Sequence, residues 1–429
     1  MMHRLILQVL VPFSVSGQPV DAERGVLRVP AVRAQPTTDS LTLRYARFKS
    51  TASEPGAPIV FLAGGPGDAA TRAFAGMPIA LLDRLRALGD VIAFDQRGTG
   101  ESEPLRPLCP PGAPRPLDRA TAPDDLLDDL RARVRACLLR ADSLRVPVAG
   151  LTTAESADDL EALRRALGVD RLNLLAGSYG THLALAAVAR HPTLVDRMVL
   201  VGVEGPDHTV KDPARVDDVL DVIAVARRPS LRADLQRLID RLAGEPAHVS
   251  APDGRVIVVG AWDFQRWVAE ALDDVREIDA MLSAIPAMLD GDLRVLARWA
   301  AAHRAPRPLH LMNLAMDCAS YISDARLARI SRMPSGVLGG AMSFPLPWIC
   351  DVPGLPRLPD AFRAVVQSDV ETLLVAGTYD GRTPPANARE VAEGLPRSRV
   401  LIIDGASHAL MGHADVTEAL LRFFARRTP

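Results

Sequence analysis

Six short, nearly unbroken apolar runs constrain this chain more than anything else in it: Ile59–Leu62, Val91–Phe94, Leu172–Leu175, Met198–Val203, Thr372–Ala376 and Val400–Ile403. A strand that is apolar at every position has no face to offer water. It is therefore buried on both sides, as in a parallel sheet covered by helices. The runs end in glycine or acidic loops, and helical segments lie between them. In the clearest of these, Ser156–Leu167, Leu160, Leu163 and Leu167 share one face. Thr152 and Glu155 supply a capping box for it and Gly168 a stop. This helix leads straight into Leu172–Leu175, the αβ unit of a doubly wound sheet.

Before the first run the texture differs. Leu41–Phe48 alternates apolar and polar residues, the pattern of a half-buried strand. The extreme N-terminus carries two readings. Met1–Arg4 and the apolar Leu5–Val11, with Ser14-Val15-Ser16 as a small-residue cleavage site, resemble an export leader. Alternatively the segment is a first strand, turning at Ser16-Gly17-Gln18-Pro19 into a second at Gly25–Val29. The export reading places the protein outside the cytoplasm and the strand reading leaves it inside. The strand reading is preferred, because Gln8 and Pro12 interrupt the apolar stretch.

From Pro206 to about Ala364 the strand signal fades into helices, with breaks at Gly244-Glu245-Pro246 and Ser343–Pro347. The expected class is α/β, with a mostly parallel sheet, helices on both faces and an inserted helical cap. Residues 1–205 and 366–429 form the core in this reading, and 206–365 the cap. All four tryptophans, Trp262, Trp267, Trp299 and Trp348, fall in the insertion. They either line an apolar slot for substrate or form the insertion's own core. Pro104–Pro116 reads as an ordered proline-rich loop.

Charge excludes several partners. The 50 basic and 52 acidic residues nearly cancel, and lysine occurs only at Lys49 and Lys211. With the arginines scattered singly, neither nucleic acid nor an anionic membrane is an expected partner. No apolar run reaches the roughly 18 residues of a membrane span. The four cysteines, Cys109, Cys137, Cys318 and Cys350, have no zinc-type spacing, and no metal or cofactor is expected. They allow three pairings. Nearness in sequence makes Cys109–Cys137 and Cys318–Cys350 the economical one, and four buried thiols are the alternative.

The chemistry gathers where strands end. In Ala176-Gly177-Ser178-Tyr179-Gly180 a buried strand runs into a serine flanked by small residues, and a helix follows. That is the context of a nucleophile elbow, in which the hydroxyl stands free on a tight turn. Ala176 replaces the first glycine of the usual G-x-S-x-G. Ala63-Gly64-Gly65-Pro66-Gly67 follows the first buried strand. There a backbone N–H can meet the oxyanion of acyl transfer, and Gly65 and Tyr179 are the expected donors. Neither glycine string matches a phosphate-binding pattern. Asp380 comes directly after Leu373–Ala376, and His408 directly after Val400–Ile403. Open parallel sheets bind ligands at that carboxyl edge. The order Ser178, Asp380, His408 supplies nucleophile, orienting acid and general base. His413 is a rival base, and His182 reads as structural or as pocket lining.

Taken in order, Ala63–Gly67, Phe94-Asp95-Gln96-Arg97-Gly98-Thr99-Gly100-Glu101-Ser102, Gly177–Thr181 and the tail Gly377, Asp380, Thr383, Pro384 resemble the prolyl and tripeptidyl aminopeptidase branch of the α/β hydrolases. The likeness runs from about Gly25 to the C-terminus and is weakest in the insertion. It implies the α/β-hydrolase fold and an acyl-enzyme mechanism that releases N-terminal residues from short peptides. Cys109, placed after the D-Q-R-G loop, also fits that branch, many members of which are exported. Two positions depart from it. Ala63 stands where prolyl aminopeptidases usually have histidine, and Ala319-Ser320 follow Cys318 where the branch often has an acid. Such exopeptidases need a carboxylate for the substrate's free α-amine. Here Asp317 and Glu204 are the residues available for that role. Glu204 also reads as a loop acid at a helix start. A carboxylesterase acting on small esters is the rival within the same chemistry. A catalytically silent ligand-binding protein is the rival from another class.

Overall fold

The computed structural model describes residues 9–35, 39–104, 108–251, 253–332 and 336–425. Its strands are β1 (Val9–Val15), β2 (Gln18–Pro30), β3 (Ser40–Phe48), β4 (Gly56–Leu62), β5 (Gly89–Asp95), β6 (Leu172–Gly177), β7 (Val195–Val201), β8 (Ala247–Ser250), β9 (Val256–Val259), β10 (Glu371–Gly377) and β11 (Ser398–Ile403). All except β8 and β9 join one sheet in the order β1-β2-β3-β5-β4-β6-β7-β10-β11. The pairs β1–β2, β2–β3 and β3–β5 are antiparallel, and every pair from β5 to β11 is parallel. Val9–Val15 is thus a strand. Residues 1–8, which carry most of the leader reading, lie outside the described residues.

Strands β4 to β7 and β10 are buried on both faces, as an unbroken apolar run requires, but β11, expected to be buried as well, lies at the sheet edge with Val400 37% exposed and only Ile403 buried. In β4, Val60 and Leu62 point into one core cluster while Ile59 and Phe61 point into the other. In β10, Leu374 and Ala376 oppose Leu373 and Val375 in the same way. The helices that build these clusters are α1 (Ala70–Ala75), α2 (Ile79–Arg86), α3 (Pro123–Ser143), α4 (Thr153–Leu167), α5 (Tyr179–Arg190), α6 (Pro213–Arg227), α7 (Leu231–Gly244), α8 (Ala261–Ala271), α9 (Val275–Leu289), α10 (Arg294–Arg304), α11 (Leu311–Ser320), α12 (Asp324–Arg332), α13 (Pro385–Ala392) and α14 (Ala414–Phe424). Residues of α4, α5 and α13 cover one face of the sheet, and residues of α1, α2 and α14 the other. Phe74 of α1 is fully buried and stacks on Phe48 of β3 at 5.6 Å. Truncating such a side chain to alanine costs about 3–5 kcal/mol.

Helix α4 begins as expected, with the Thr152 side chain accepting from the Glu155 N–H, and ends at Gly168 in the left-handed conformation. Only half of the capping box forms. The Glu155 carboxylate turns instead to Arg33, accepting from both its backbone N–H and its guanidinium. Beside it the D-Q-R-G string builds structure. Arg97 is fully buried and donates twice to Asp159 at 2.8 Å, and also to the carbonyls of Ala31 and Gly150. A buried guanidinium is tolerated only when paired and hydrogen-bonded in this way. Gln96 donates to the Ala63 carbonyl at 3.2 Å, which ties the end of β4 to the end of β5.

Between β7 and β10 the chain leaves the sheet. Helices α6 to α10 enclose a core of their own that includes Leu220, Leu238, Phe264, Trp267 and Ile285. A small β8–β9 hairpin stands where helix was expected. Its signal was the β-branched run Val256-Ile257-Val258-Val259 after Asp253-Gly254. Three tryptophans, Trp262, Trp267 and Trp299, belong to this inner core, and Trp348 is 43% exposed. Helix α3 sits apart from the sheet: Leu127, Val134 and Cys137 pack against Leu311, Leu314, Cys318, Leu346 and Ile349. Two disulfides, Cys109–Cys137 and Cys318–Cys350, close loops in this cluster, with sequence separations of 28 and 32 residues. Loops of that length are worth about 3–4 kcal/mol each in the chain-entropy account.

Candidate active site

Ser178 joins β6 to α5 with φ 51° and ψ −127°, a conformation that L-residues rarely adopt. Strain of this kind costs on the order of 1–3 kcal/mol and persists only where the surroundings enforce it. Gly180 shows the enforcement, since a Cβ there would lie 2.2 Å from the Leu62 carbonyl oxygen. Position 176 imposes no such limit, and the methyl group of Ala176 packs into the core.

Strands β6, β10 and β11 bring Ser178, Asp380 and His408 together. The Ser178 hydroxyl donates to His408 Nε2 across 2.9 Å. His408 Nδ1 in turn donates to Asp380 Oδ2, also across 2.9 Å. A carboxylate only accepts, so the bond to Asp380 fixes the imidazole tautomer that leaves Nε2 free to take a proton. Asp380 is fully buried and accepts in addition from the N–H groups of Arg382 and Thr383 and from the Thr383 hydroxyl. Burial pushes the Asp380 carboxyl up, but the facing imidazole and these donors outweigh it and hold it below 3.8. Burial works against protonation of His408, and the Asp380 charge outweighs it, so His408 lies above its ordinary 6.5. Gly202, at φ 65°, leaves room for the ring, because a Cβ there would come within 3.1 Å of His408 Cε1.

Around these groups lies a cavity of about 550 Å³ lined by Gly64, Gly65, Ser178, Glu204, Lys211, Asp273, Arg382 and His408 among others. Gly65 is at its wall, and Tyr179 opens α5, whose first N–H groups have no partner within the helix. Gly64 comes closer to the serine than Gly65 does, with a Cβ there falling 3.0 Å from Ser178 Cβ. The Tyr179 ring is buried, with its hydroxyl bonded to Thr153 and Met316, and burial raises its pKa. Sequence reasoning passed over Gly64, Gly202, Lys211, Asp273 and Arg382. Only a glycine string and a motif position marked the first and the last of these.

The two carboxylates expected to read an amine lie on different elements. Glu204 follows β7, is buried, and pairs with Lys211 at 2.7 Å. Burial acts against its charge, but Lys211 and His182 outweigh it and keep its carboxyl below the ordinary range. Asp317, on α11, is not among the residues lining the cavity. Although part of its surface is open, burial and the Glu204 charge raise its carboxyl well above the ordinary 3.8, with Lys211 acting in the opposite direction. His182 lies beneath, between the Gly205 carbonyl at 3.0 Å and the Ser320 hydroxyl at 2.9 Å. His413 caps α14 by accepting from the Asp415 N–H. No group of three metal-ligating side chains occurs among the described residues.

A family model described as the alpha/beta hydrolase fold matches residues 57–413. The chain belongs to the α/β-hydrolase fold family. Among curated relatives, the serine protease Hip1 of Mycobacterium tuberculosis is 30% identical to this hydrolase over 197 residues, 44% of this chain and 37% of that protein. The tripeptidyl aminopeptidase of Streptomyces coelicolor is 29% identical over 198 residues, 44% of this chain and 36% of its own. The proline iminopeptidase of Xanthomonas citri is 28% identical over 161 residues, 36% and 35% of the two chains. The matched part of the hydrolase thus spans little more than a third of these relatives. No described helix of the hydrolase is long and apolar enough to cross a membrane.

Proposed function

We propose that this hydrolase cleaves amide bonds through an acyl-enzyme at Ser178 and releases N-terminal residues from short peptides. The file of hydrogen bonds from Ser178 through His408 to Asp380 carries the reading, because it opens onto a cavity that also holds the Glu204 carboxylate. In this mechanism Ser178 Oγ attacks the scissile carbonyl as His408 Nε2 takes its proton. Backbone N–H groups at Tyr179 and on the Gly64-Gly65 segment meet the oxyanion. His408 then returns the proton to the departing amine, and water releases the acyl group by the same steps. Glu204 Oε2 is held by Lys211, and Oε1 is where a substrate ammonium would bind. Residues 206–365, with α3 packed against them, act as the cap over this cavity. The relatives' names, a serine protease and two exopeptidases, support a peptide substrate. A purely ligand-binding protein has no use for a file of three groups bonded with this polarity.

One observation favours a second reading. Lys211 already neutralises Glu204, which suits an uncharged substrate such as a small ester. The test compares kcat/KM for a peptide anilide with a free amine, its N-acetylated twin and a nitrophenyl ester. The free amine is expected to be the best substrate of the three. Equal turnover of the acetylated peptide removes the amine site and leaves the esterase reading.

A further inference from the structure

The loops that carry Asp380 and His408 share a neighbour that neither strand supplies. At the end of α8 the insertion sends Leu272-Asp273 between them. On the acid's side, the Asp273 carboxylate takes both Arg382 Nε and Arg382 Nη2, the latter at 3.2 Å. Arg382 is the residue whose backbone N–H donates to Asp380 Oδ1 at 2.9 Å. Gly381 lies so close that a Cβ there would fall 2.7 Å from Leu272 Cδ1. Tyr379, on the other side of Asp380, is buried in the insertion's own core. On the base's side, the Asp273 carbonyl accepts from the Ala409 N–H at 3.1 Å and from the Ser407 hydroxyl at 3.2 Å, the two residues that flank His408. The residues on either side of the acid and of the base therefore all touch the insertion.

We propose that Asp273 is a positioning residue for the general base: its carboxylate sets the Arg382 loop and its carbonyl the His408 loop, so that the insertion holds acid and base in line. The inference rests on the reading of Ser178, His408 and Asp380 as the reacting groups. A proton relay works only within a narrow window of distance and angle, and a misplacement of about 1 Å costs about a hundredfold in rate. The backbone around Asp380 and His408 runs in irregular loops beyond the strand ends, where sheet hydrogen bonds no longer fix it. The Tyr379 N–H donates to the Ala406 carbonyl at 2.9 Å and ties the two loops upstream of acid and base, and Asp273 adds a second tie on the downstream side from one residue.

Asp273 also faces His408 as a charge. The groups around that imidazole are Asp380 on its own side of the sheet, Asp273 and Lys211 from the insertion, and Glu204, Asp68 and Arg382 around the shared cavity. Asp273 favours the protonated ring and Lys211 opposes it. Removing the carboxylate therefore lowers the pH below which His408 is protonated and inactive.

The test is Asp273→Asn, a change that keeps the carbonyl contacts at a side chain that is 43% exposed. It is expected to lower kcat by about tenfold or more, equally for free-amine and acetylated substrates, and to move the acid limb of the kcat/KM profile to lower pH. Asp273→Glu keeps the charge and is expected to restore the limb, though not the full rate. Ser407→Ala, which loses only the hydroxyl contact, is expected to lower kcat without moving the limb. A fluorophosphonate probe on the wild type separates the two ideas. Labelling of a serine other than Ser178 overturns the reading of the site itself. Labelling at Ser178 combined with a normal rate and pH profile in Asp273→Asn overturns the role of Asp273 alone.

Discussion

The two ends of the cavity are built differently. At one end every bond has one direction: the Ser178 hydroxyl donates to His408, His408 donates to Asp380, and Asp380 accepts as well from the backbone N–H and the hydroxyl of Thr383. At the other end Glu204 pairs with Lys211, and Asp317, outside the cavity lining, has its carboxyl raised by burial and by the Glu204 charge. The first end is closed and self-consistent, whereas the second rests on a single ion pair. A site for chemistry needs its polarity fixed before the substrate arrives.

The sharpest way to break the comparison is to remove the nucleophile. Ser178→Ala is expected to lower kcat by about 10⁶-fold while leaving thermal unfolding nearly unchanged. A mutant that keeps more than a few per cent of the wild-type rate would show that the closed end is not where the chemistry occurs. Glu204→Gln probes the open end. It is expected to lower kcat/KM for the free-amine peptide by about a hundredfold, because the desolvated ammonium loses its partner, and to spare the acetylated twin. Equal losses on both would turn Glu204 into a structural residue. The smallest effect belongs to Asp317→Asn. The Asp317 carboxyl is raised in the fold, so the wild type binds more protons folded than unfolded and loses stability as pH climbs from the ordinary carboxylate value towards the raised one. Asparagine does not titrate, so the Tm of the variant relative to wild type is expected to rise over that interval by a few degrees. A difference independent of pH would mean that the Asp317 carboxyl is not raised by the fold.

What the sequence reveals follows the same division. Strands β4 to β7 and β10 are legible because burial on both faces leaves an unbroken apolar run, whereas β11 carries such a run at the sheet edge, where most of it stays partly exposed. Ser178, Asp380 and His408 are legible because each stands directly after one of those runs. Helix α3 hides its role: of its 21 residues only Leu127, Val134, Cys137 and Ala141 are buried, and they meet the insertion rather than the sheet. Strands β8 and β9 are four residues each, too short to outweigh the helical segments around them. Asp273 carries no local signal at all, since its partner Arg382 is 109 residues away. The pairing of Glu204 with Lys211 spans only 7 residues, but nothing in the spelling says that both side chains turn into a cavity.

The reach of Leu272-Asp273 into the two loops bears on how such a protein can change over generations. If the insertion only sat above the cavity, it could be exchanged or redrawn freely, and preference would drift while rate stayed constant. On the proposed reading the insertion also shapes what enters, and it touches Gly381, Ser407 and Ala409. A graft of a foreign insertion onto this sheet carries with it a new alignment of acid and base. Variants selected for a new substrate are then expected to arrive slow, and to recover speed through second changes near Asp273 and Arg382 rather than near Ser178.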